Sequence, residues 1–240
     1  MSERFLRQEM LLGRDAMQRL ENSHVAIFGL GGVGSWCAEA LARAGVGTLT
    51  LVDQDTAGES NINRQLCALY STLEQPKATI LAERLLDINP DLRVYPMVAR
   101  YEAAARDDFF QSRYDFIVDA IDLVACKVDL ICTARSLDIP IISALGTGNK
   151  LDASQLQICD ISKTEGCALA RVVRRELRRL DILHHPVVFS KELALEPEQV
   201  EAPPPGRRSV PGSAVWVPAT AGMLLAQHVI LTLTGAAPRK

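Results

Sequence analysis

His24-Val25-Ala26-Ile27-Phe28-Gly29-Leu30-Gly31-Gly32-Val33-Gly34 is the stretch that decides the fold. Its apolar run does not alternate and stops at glycine, the pattern of a parallel strand buried on both faces. Helical spacing follows over 33–45, with Val33, Cys37, Ala40, Leu41 and Ala44 on one side and Gly45 and Gly47 ending it. A strand, a glycine turn and a helix in that order aim unpaired N–H groups and a partial positive charge at the turn. Gly29, Gly31 and Gly34 remove Cβ atoms where a phosphate must approach the backbone, Gly32 adds one more glycine, and Ser35 is placed to donate a hydrogen bond. Asp53 closes a second apolar run, 49–52, 19 residues after Gly34, where a carboxylate accepts hydrogen bonds from a ribose. Taken alone, this fingerprint favours a nicotinamide or flavin dehydrogenase.

Outward from the turn, apolar runs and helical patterns keep alternating. A helix is expected over 72–88, strands over 93–98 and 116–118, a helix over 123–137 and a strand over 139–144. This predicts a Rossmann-like, mostly parallel α/β sheet with flanking helices. After Gly146 and Gly148 the rhythm changes to a strand over 155–161, a basic helix over 167–180 and a strand over 187–190. Residues 196–213, which include Pro203-Pro204-Pro205-Gly206, read as a long mobile loop. Residues 1–22 read as an amphipathic helix, 23–145 as the nucleotide-binding core and 146–240 as an acceptor-binding and dimer extension of the same domain. Residues 214–233 are apolar and as long as a membrane span, but Pro218, Gly222, Gln227 and His228 interrupt them, so a buried strand and helix are expected instead.

With 48% hydrophobic and 23% charged residues, composition is that of a soluble globular domain. A net charge of −3 excludes wholesale nucleic-acid binding and confines any basic surface to a patch. The six cysteines, at 37, 67, 126, 132, 159 and 167, form no C-x-x-C pair, and the polar N-terminus shows no signal peptide. Free thiols, no structural zinc and a cytoplasmic location are therefore expected, with Cys37 serving only packing. His184 and His185 are adjacent, and adjacent histidines on a strand point to opposite faces, so they suggest no metal.

Charges beyond the second strand separate ATP from a dinucleotide. Ser60-Asn61-Ile62-Asn63-Arg64-Gln65 places a guanidinium and several amides there, Lys77 opens the next helix, and Asp119 and Asp122 flank the end of the 116–118 strand. A dehydrogenase has little use for Arg, Lys and a carboxylate converging on one phosphate chain. Nucleotidyl transfer needs all three: cations to neutralise charge at the α-phosphate and a carboxylate to hold Mg²⁺.

Further on, Arg171, Arg174, Arg175, Arg178 and Arg179 fall within about 140° of arc on the basic helix. A solvated face normally mixes both signs, and with only Glu176 inside the run this one suits a phosphate backbone. Arg207 and Arg208 are placed to clamp the same ligand from the long loop. Cys167, just before that helix, is the thiol to test as a nucleophile or sulfur acceptor, because a helix N-terminus lowers a thiol pKa, although an inert cysteine is the blander reading.

Gly-x-Gly-Gly-x-Gly-Ser, Asp53-x-Asp55, Ser-Asn-x-Asn-Arg-Gln, Gln75-Pro76-Lys77-Ala78 and Asp119-x-x-Asp122 together resemble the ThiF/MoeB/ubiquitin-activating superfamily, whose members adenylate a carboxylate with ATP. The resemblance implies that Gly32, Asp53, Asp55, Asn61, Asn63, Arg64, Lys77 and Asp122 contact ATP or its Mg²⁺, with Arg64, Lys77 and Asp122 catalytic. It also implies a homodimer in which Arg7 reaches into the partner subunit's ATP site. Sulfur-carrier activators of the superfamily usually carry zinc-binding cysteine pairs, which this chain lacks. Gly146-Thr147-Gly148-Asn149-Lys150-Leu151-Asp152, the arginine helix and Pro205-Gly206-Arg207-Arg208-Ser209-Val210-Pro211-Gly212-Ser213 are instead similar to the tRNA threonylcarbamoyladenosine dehydratase branch. That branch implies ATP-dependent closure of the threonylcarbamoyl group of a tRNA adenosine into a cyclic form, and leaves open a sulfur-relay or cysteine desulfurase partner. Two alternatives stand beside it: an adenylyltransferase for the C-terminus of a ubiquitin-like sulfur carrier, and a non-catalytic or NAD-binding Rossmann module acting as scaffold or sensor.

Overall fold

The structure, a computed structural model, describes residues 3–198, 200 and 210–237. Seven strands form one sheet: β1 (His24–Phe28), β2 (Thr48–Val52), β3 (Arg93–Met97), β4 (Phe116–Asp119), β5 (Ile141–Ala144), β6 (Leu156–Asp160) and β7 (Pro186–Ser190). Their order is β3-β2-β1-β4-β5-β7-β6, and only β6 runs antiparallel, against β7. β1 lies in register with β2 on one side and β4 on the other, Val25 opposite both Leu49 and Phe116. Because strands alternate their side chains, Val25 and Ile27 enter one core and Ala26 and Phe28 the other. Both faces are covered, which explains the unbroken apolar run of β1.

Among the described residues there are eight α-helices, besides short 3-10 turns: α1 (Leu6–Leu12), α2 (Arg14–Glu21), α3 (Gly34–Arg43), α4 (Lys77–Ile88), α5 (Arg106–Phe109), α6 (Val124–Ser136), α7 (Ala168–Arg179) and α8 (Trp216–Thr234). Three expectations are corrected. The N-terminal helix is two, broken at Gly13, whose φ of +83° ends one turn before the next begins. The 72–88 helix starts only at Lys77, because Pro76 holds an extended backbone at its N-cap. The expected C-terminal strand does not form; α8 alone occupies the apolar run, with Val217, Ala221, Leu225 and Val229 fully buried. By length and composition α8 could cross a membrane, yet here it packs across α3 and the sheet. Gly222 permits that crossing: a Cβ on it would sit 2.5 Å from the Val33 carbonyl oxygen. Of the loop expected over 196–213, residues 199 and 201–209 lie outside the described residues.

Candidate active site

The strand order reverses between β1 and β4, and a cavity of about 930 Å³ opens there at the carboxyl ends of the parallel strands. The glycine turn is its floor, but the four glycines do different work. Gly29 has φ +90°, and a Cβ on it would lie 2.7 Å from the Ala120 carbonyl oxygen. A Cβ on Gly34 would lie 1.8 Å from the Gly29 carbonyl oxygen, so Gly34 packs helix on strand and, contrary to expectation, does not line the cavity. Gly31 and Gly32 do present bare backbone to the cavity; the nearest neighbours of their missing Cβ atoms are side chains, at 3.8 and 3.3 Å. Ser35 also departs from expectation. Its hydroxyl is buried, donating to the Gly31 carbonyl at 2.7 Å and accepting the Leu66 N–H at 3.3 Å, which stiffens the turn from beneath.

Asp53 lines the cavity at the end of β2. Its carboxylate accepts the Leu30 N–H at 2.6 Å and the Asp55 N–H at 2.8 Å, tying the second strand to the glycine turn. Lys77 and Arg64 bring cations to the same wall. Lys77 is buried, its ammonium 3.1 Å from the carboxylate of Asp55, which also lines the cavity and holds the lysine in place. Arg64 donates to the Ser60 carbonyl at 2.8 Å and to Asn63 Oδ1 at 2.9 Å. Asn61 and Asn63 fall outside the cavity wall. Asn61 Oδ1 accepts the Gly58 N–H, shaping the turn, while Asn63 Nδ2 donates to the Ser213 carbonyl at 2.9 Å. Asn63 therefore links the arginine to the segment 210–213, whose Pro211 and Ser213 roof the cavity. Asn149 fastens the same segment by exchanging hydrogen bonds with Gly212, at 2.7 and 2.6 Å.

Asp122 stands in the wall that follows β4, and Gly146, Thr147 and Gly148 in the wall that follows β5. A buried lysine, unremarked in the sequence, connects these walls. Lys127 Nζ lies 2.6 Å from Asp119 Oδ2 and 3.0 Å from the Ala144 carbonyl, and both charged side chains are 0% exposed. Asp119 Oδ1 in turn accepts the Ile121 N–H at 3.0 Å, fixing the turn that leads to Asp122. The signal was available: Lys127 shares a helix face with Leu130, Ile131 and Ala134, all buried. Next to it, Ser143 Oγ and His185 Nε2 are 2.8 Å apart; burial drives the His185 pKa down to about 3 and keeps the ring neutral. The two histidines precede β7 instead of lying on a strand, and His184 is exposed 3.3 Å from Asp160.

Helix α7 leads away from the cavity, with Leu169 at the edge. Cys167 caps it: the buried thiol accepts the Ala170 N–H at 3.4 Å, and a Cβ on Gly146 would sit 3.0 Å from the sulfur. That thiol is a cap beneath the wall, outside the cavity lining. Nor are the five arginines equivalent. Arg174 turns inward and donates to the Thr164 carbonyl at 2.6 Å and to the Thr164 hydroxyl, pinning α7 to the preceding turn. Arg175 and Arg179 flank Glu176 at 2.9 and 2.8 Å, and Arg171 and Arg178 are exposed. Arg207 and Arg208 lie outside the described residues. Arg7 is exposed on α1 and does not line the cavity.

Comparison with known proteins bears on this geometry. A model of the ThiF family matches residues 5–240. The tRNA threonylcarbamoyladenosine dehydratase of Bacillus subtilis is 38% identical over 97% of this chain and 95% of its own length. The crystal structure of the Escherichia coli tRNA N6-threonylcarbamoyladenosine dehydratase in complex with ATP superposes with a TM-score of 0.88 at 33% identity, covering 97% of this chain and 94% of that one. The sulfur carrier protein ThiS adenylyltransferase of Escherichia coli, 36% identical, aligns over 62% of this chain and 60% of its own length.

Proposed function

This chain belongs to the ThiF family, and from that premise we propose that it is an ATP-dependent tRNA threonylcarbamoyladenosine dehydratase. The observation that carries the proposal is the convergence of bare backbone at Gly31 and Gly32, the cations of Arg64 and Lys77, and the Asp122 carboxylate around one cavity. The similarity to the dehydratases spans nearly the whole chain, whereas that to the sulfur-carrier enzyme stops at about three-fifths.

In this reading the triphosphate lies over the glycine turn and the ribose at Asp53. The threonyl carboxylate attacks the α-phosphorus, pyrophosphate leaves, and a mixed anhydride with AMP forms. A nucleophile within the same threonylcarbamoyl group then attacks the activated carbonyl and expels AMP. The net change on the nucleoside is loss of one water. Closure is intramolecular, so the protein's main work is the first step, where Arg64 and Lys77 stabilise charge building on the phosphates. Asp122 brings a hard carboxylate oxygen to a cavity edged by cations, a donor suited to Mg²⁺, which when bound would neutralise further phosphate charge.

In the same reading the acceptor occupies the part of the cavity walled by Gly146–Gly148 and Leu169, and the tRNA backbone runs along α7, a reading supported by the exposure of Arg171, Arg175 and Arg178. Such a substrate and cofactor assign the work to the cytoplasm. The chain is proposed to act as a homodimer through α1, where Met10 and Leu11 are 85% and 86% exposed beside Arg7, with Arg7 completing the partner's ATP site. Mass analysis of nucleosides, after incubation with ATP, Mg²⁺ and tRNA bearing threonylcarbamoyladenosine, tests the activity. Loss of one water is expected; an unchanged nucleoside with folded, ATP-binding protein would refute it. Pyrophosphate exchange that needs a carrier protein instead of tRNA would move the acceptor to that protein's C-terminus.

A further inference from the structure

In the reading above, different walls hold the two reactants: the phosphates lie beside the glycine turn and Arg64, the acceptor beside Gly146–Gly148. Arg64 comes after β2 and Gly146–Gly148 after β5. β1 and β4 lie between those strands, which sets them about 14 Å apart in the sheet. Transfer needs its reacting atoms at about 3–3.5 Å, so the spacing of the loops above the sheet matters as much as the sheet. Segment 210–213 joins the two sides. Towards Arg64, the Ser213 carbonyl accepts the Asn63 amide at 2.9 Å, and Asn63 Oδ1 accepts Arg64 at 2.9 Å. Towards β5, bare backbone at Gly148 lets Pro211 close in; a Cβ there would stand 3.1 Å from Pro211 Cβ. Asn149 then holds Gly212 twice: its N–H donates to the Gly212 carbonyl at 2.7 Å, and its Oδ1 accepts the Gly212 N–H at 2.6 Å. Its own carbonyl accepts the Leu195 N–H at 2.8 Å. Just past the segment, Trp216 Nε1 donates to the Leu151 carbonyl at 2.6 Å. Asn149 has φ +59°, a left-handed backbone that asparagine adopts more readily than most residues. It does not line the cavity, so its effect on the reaction passes through the segment it holds.

We propose that Asn149 is a positioning residue for adenylation: by fastening segment 210–213 between the walls, it sets the approach of the acceptor carboxylate to the α-phosphate. The proposal rests on the dehydratase reading above. Asn149→Gly removes Oδ1 while keeping both backbone bonds and the left-handed φ, so the variant should fold, its melting temperature lower by no more than about 6 °C. Asn149→Asp keeps the acceptor oxygen.

The test is a single turnover of full-length protein with saturating ATP, Mg²⁺ and tRNA bearing threonylcarbamoyladenosine, with AMP and cyclic nucleoside both followed. Calorimetry with an α,β-methylene ATP analogue measures nucleotide binding separately. In Asn149→Gly the rate of AMP formation should fall about 10- to 100-fold, as expected when a reacting group is misplaced by about an ångström. Analogue affinity should stay within about threefold of wild type, because Arg64 keeps its bonds to Ser60 and Asn63. AMP per cyclic nucleoside should stay at about one, because closure within the activated group outruns attack by water. Asn149→Asp should recover the rate to within about threefold of wild type. Trp216→Phe, which removes only the tie to Leu151, should slow the same step and decides the matter if the glycine variant does not fold. An unchanged rate overturns the proposal, as does an aspartate variant as slow as the glycine one. A loss confined to analogue affinity would make Asn149 part of nucleotide binding. AMP in excess of product would mean that the segment shields the adenylate from water instead of aligning its formation. Either result overturns the positioning role. Wild type that forms neither AMP nor cyclic nucleoside would instead remove the dehydratase reading itself.

Discussion

Lys127→Met should be among the most damaging single changes in the chain, although Lys127 does not line the cavity. Its ammonium and the Asp119 carboxylate are 2.6 Å apart, both side chains are 0% exposed, and the lysine also serves the Ala144 carbonyl. Methionine fills similar volume, so the loss is electrostatic: Asp119 is left as a buried charge whose remaining hydrogen bond comes from the Ile121 N–H. Removing one partner of such a pair costs about 3–5 kcal/mol. For a chain of this size, at roughly 2–4 °C per kcal/mol, the melting temperature should fall by about 6–20 °C. Urea unfolding followed by far-ultraviolet circular dichroism measures the free energy, and calorimetry the midpoint. Adding Asp119→Asn removes the stranded charge, and the double variant should recover about 1–2 kcal/mol over Lys127→Met alone. A loss below about 1 kcal/mol, or a double variant no better than the single, would refute the view that this pair staples the two walls of the site.

Three further outcomes distinguish ligand-facing from structural roles. Gly32→Ala should fold, because its Cβ meets side chains at 3.3 Å or more, yet lose at least about tenfold in ATP affinity measured by calorimetry; Gly34→Ala, at 1.8 Å from a backbone oxygen, should fail to give soluble folded protein. His185 is neutral when folded, its pKa pushed by burial to about 3 from an ordinary value near 6.5. Below pH 6.5 the unfolded chain takes up a proton that the folded one does not, so stability present at pH 7 is lost as pH falls towards 3. Urea titrations at stepped pH should show a slope in that window about 1.4 kcal/mol per pH unit shallower for His185→Gln than for wild type, and identical slopes would contradict the assignment. Neutralising Arg171 and Arg178 should lower the salt dependence of tRNA binding, the slope of log K against log salt falling by about 1–2. Arg174→Gln, by contrast, should lower the melting temperature and leave that slope unchanged, since its guanidinium is engaged with Thr164; equal effects of both changes would return Arg174 to the binding face.

What the sequence determined by itself was local and periodic. The apolar run into glycines, the helical spacing after it and the placing of Asp53, Arg64, Lys77 and Asp122 relative to strand ends are properties of neighbouring residues, and they led to the sheet and to the edge where its cavity opens. Errors at this level were also local: Gly13 and Pro76 ended helical patterns that periodicity alone would have continued. Tertiary structure decided which polar group meets which across long separations. Gly32 and Gly34 look alike in the string, yet one faces an open cavity and the other a carbonyl 1.8 Å away. Asn63 sits in a motif beside Arg64, and only the fold shows its amide donating to the carbonyl of Ser213, 150 residues on. Arg174 belongs to a basic face by angle and to the Thr164 turn by contact. Periodicity says which side of an element is buried, but the cost of burying a charge or an amide is met only by a partner that packing delivers. For the glycine turn itself, the strand and helix around it were legible at once, while its division into packing glycines and cavity-lining glycines awaited the arrival of Ala120, Arg64 and Pro218 against it.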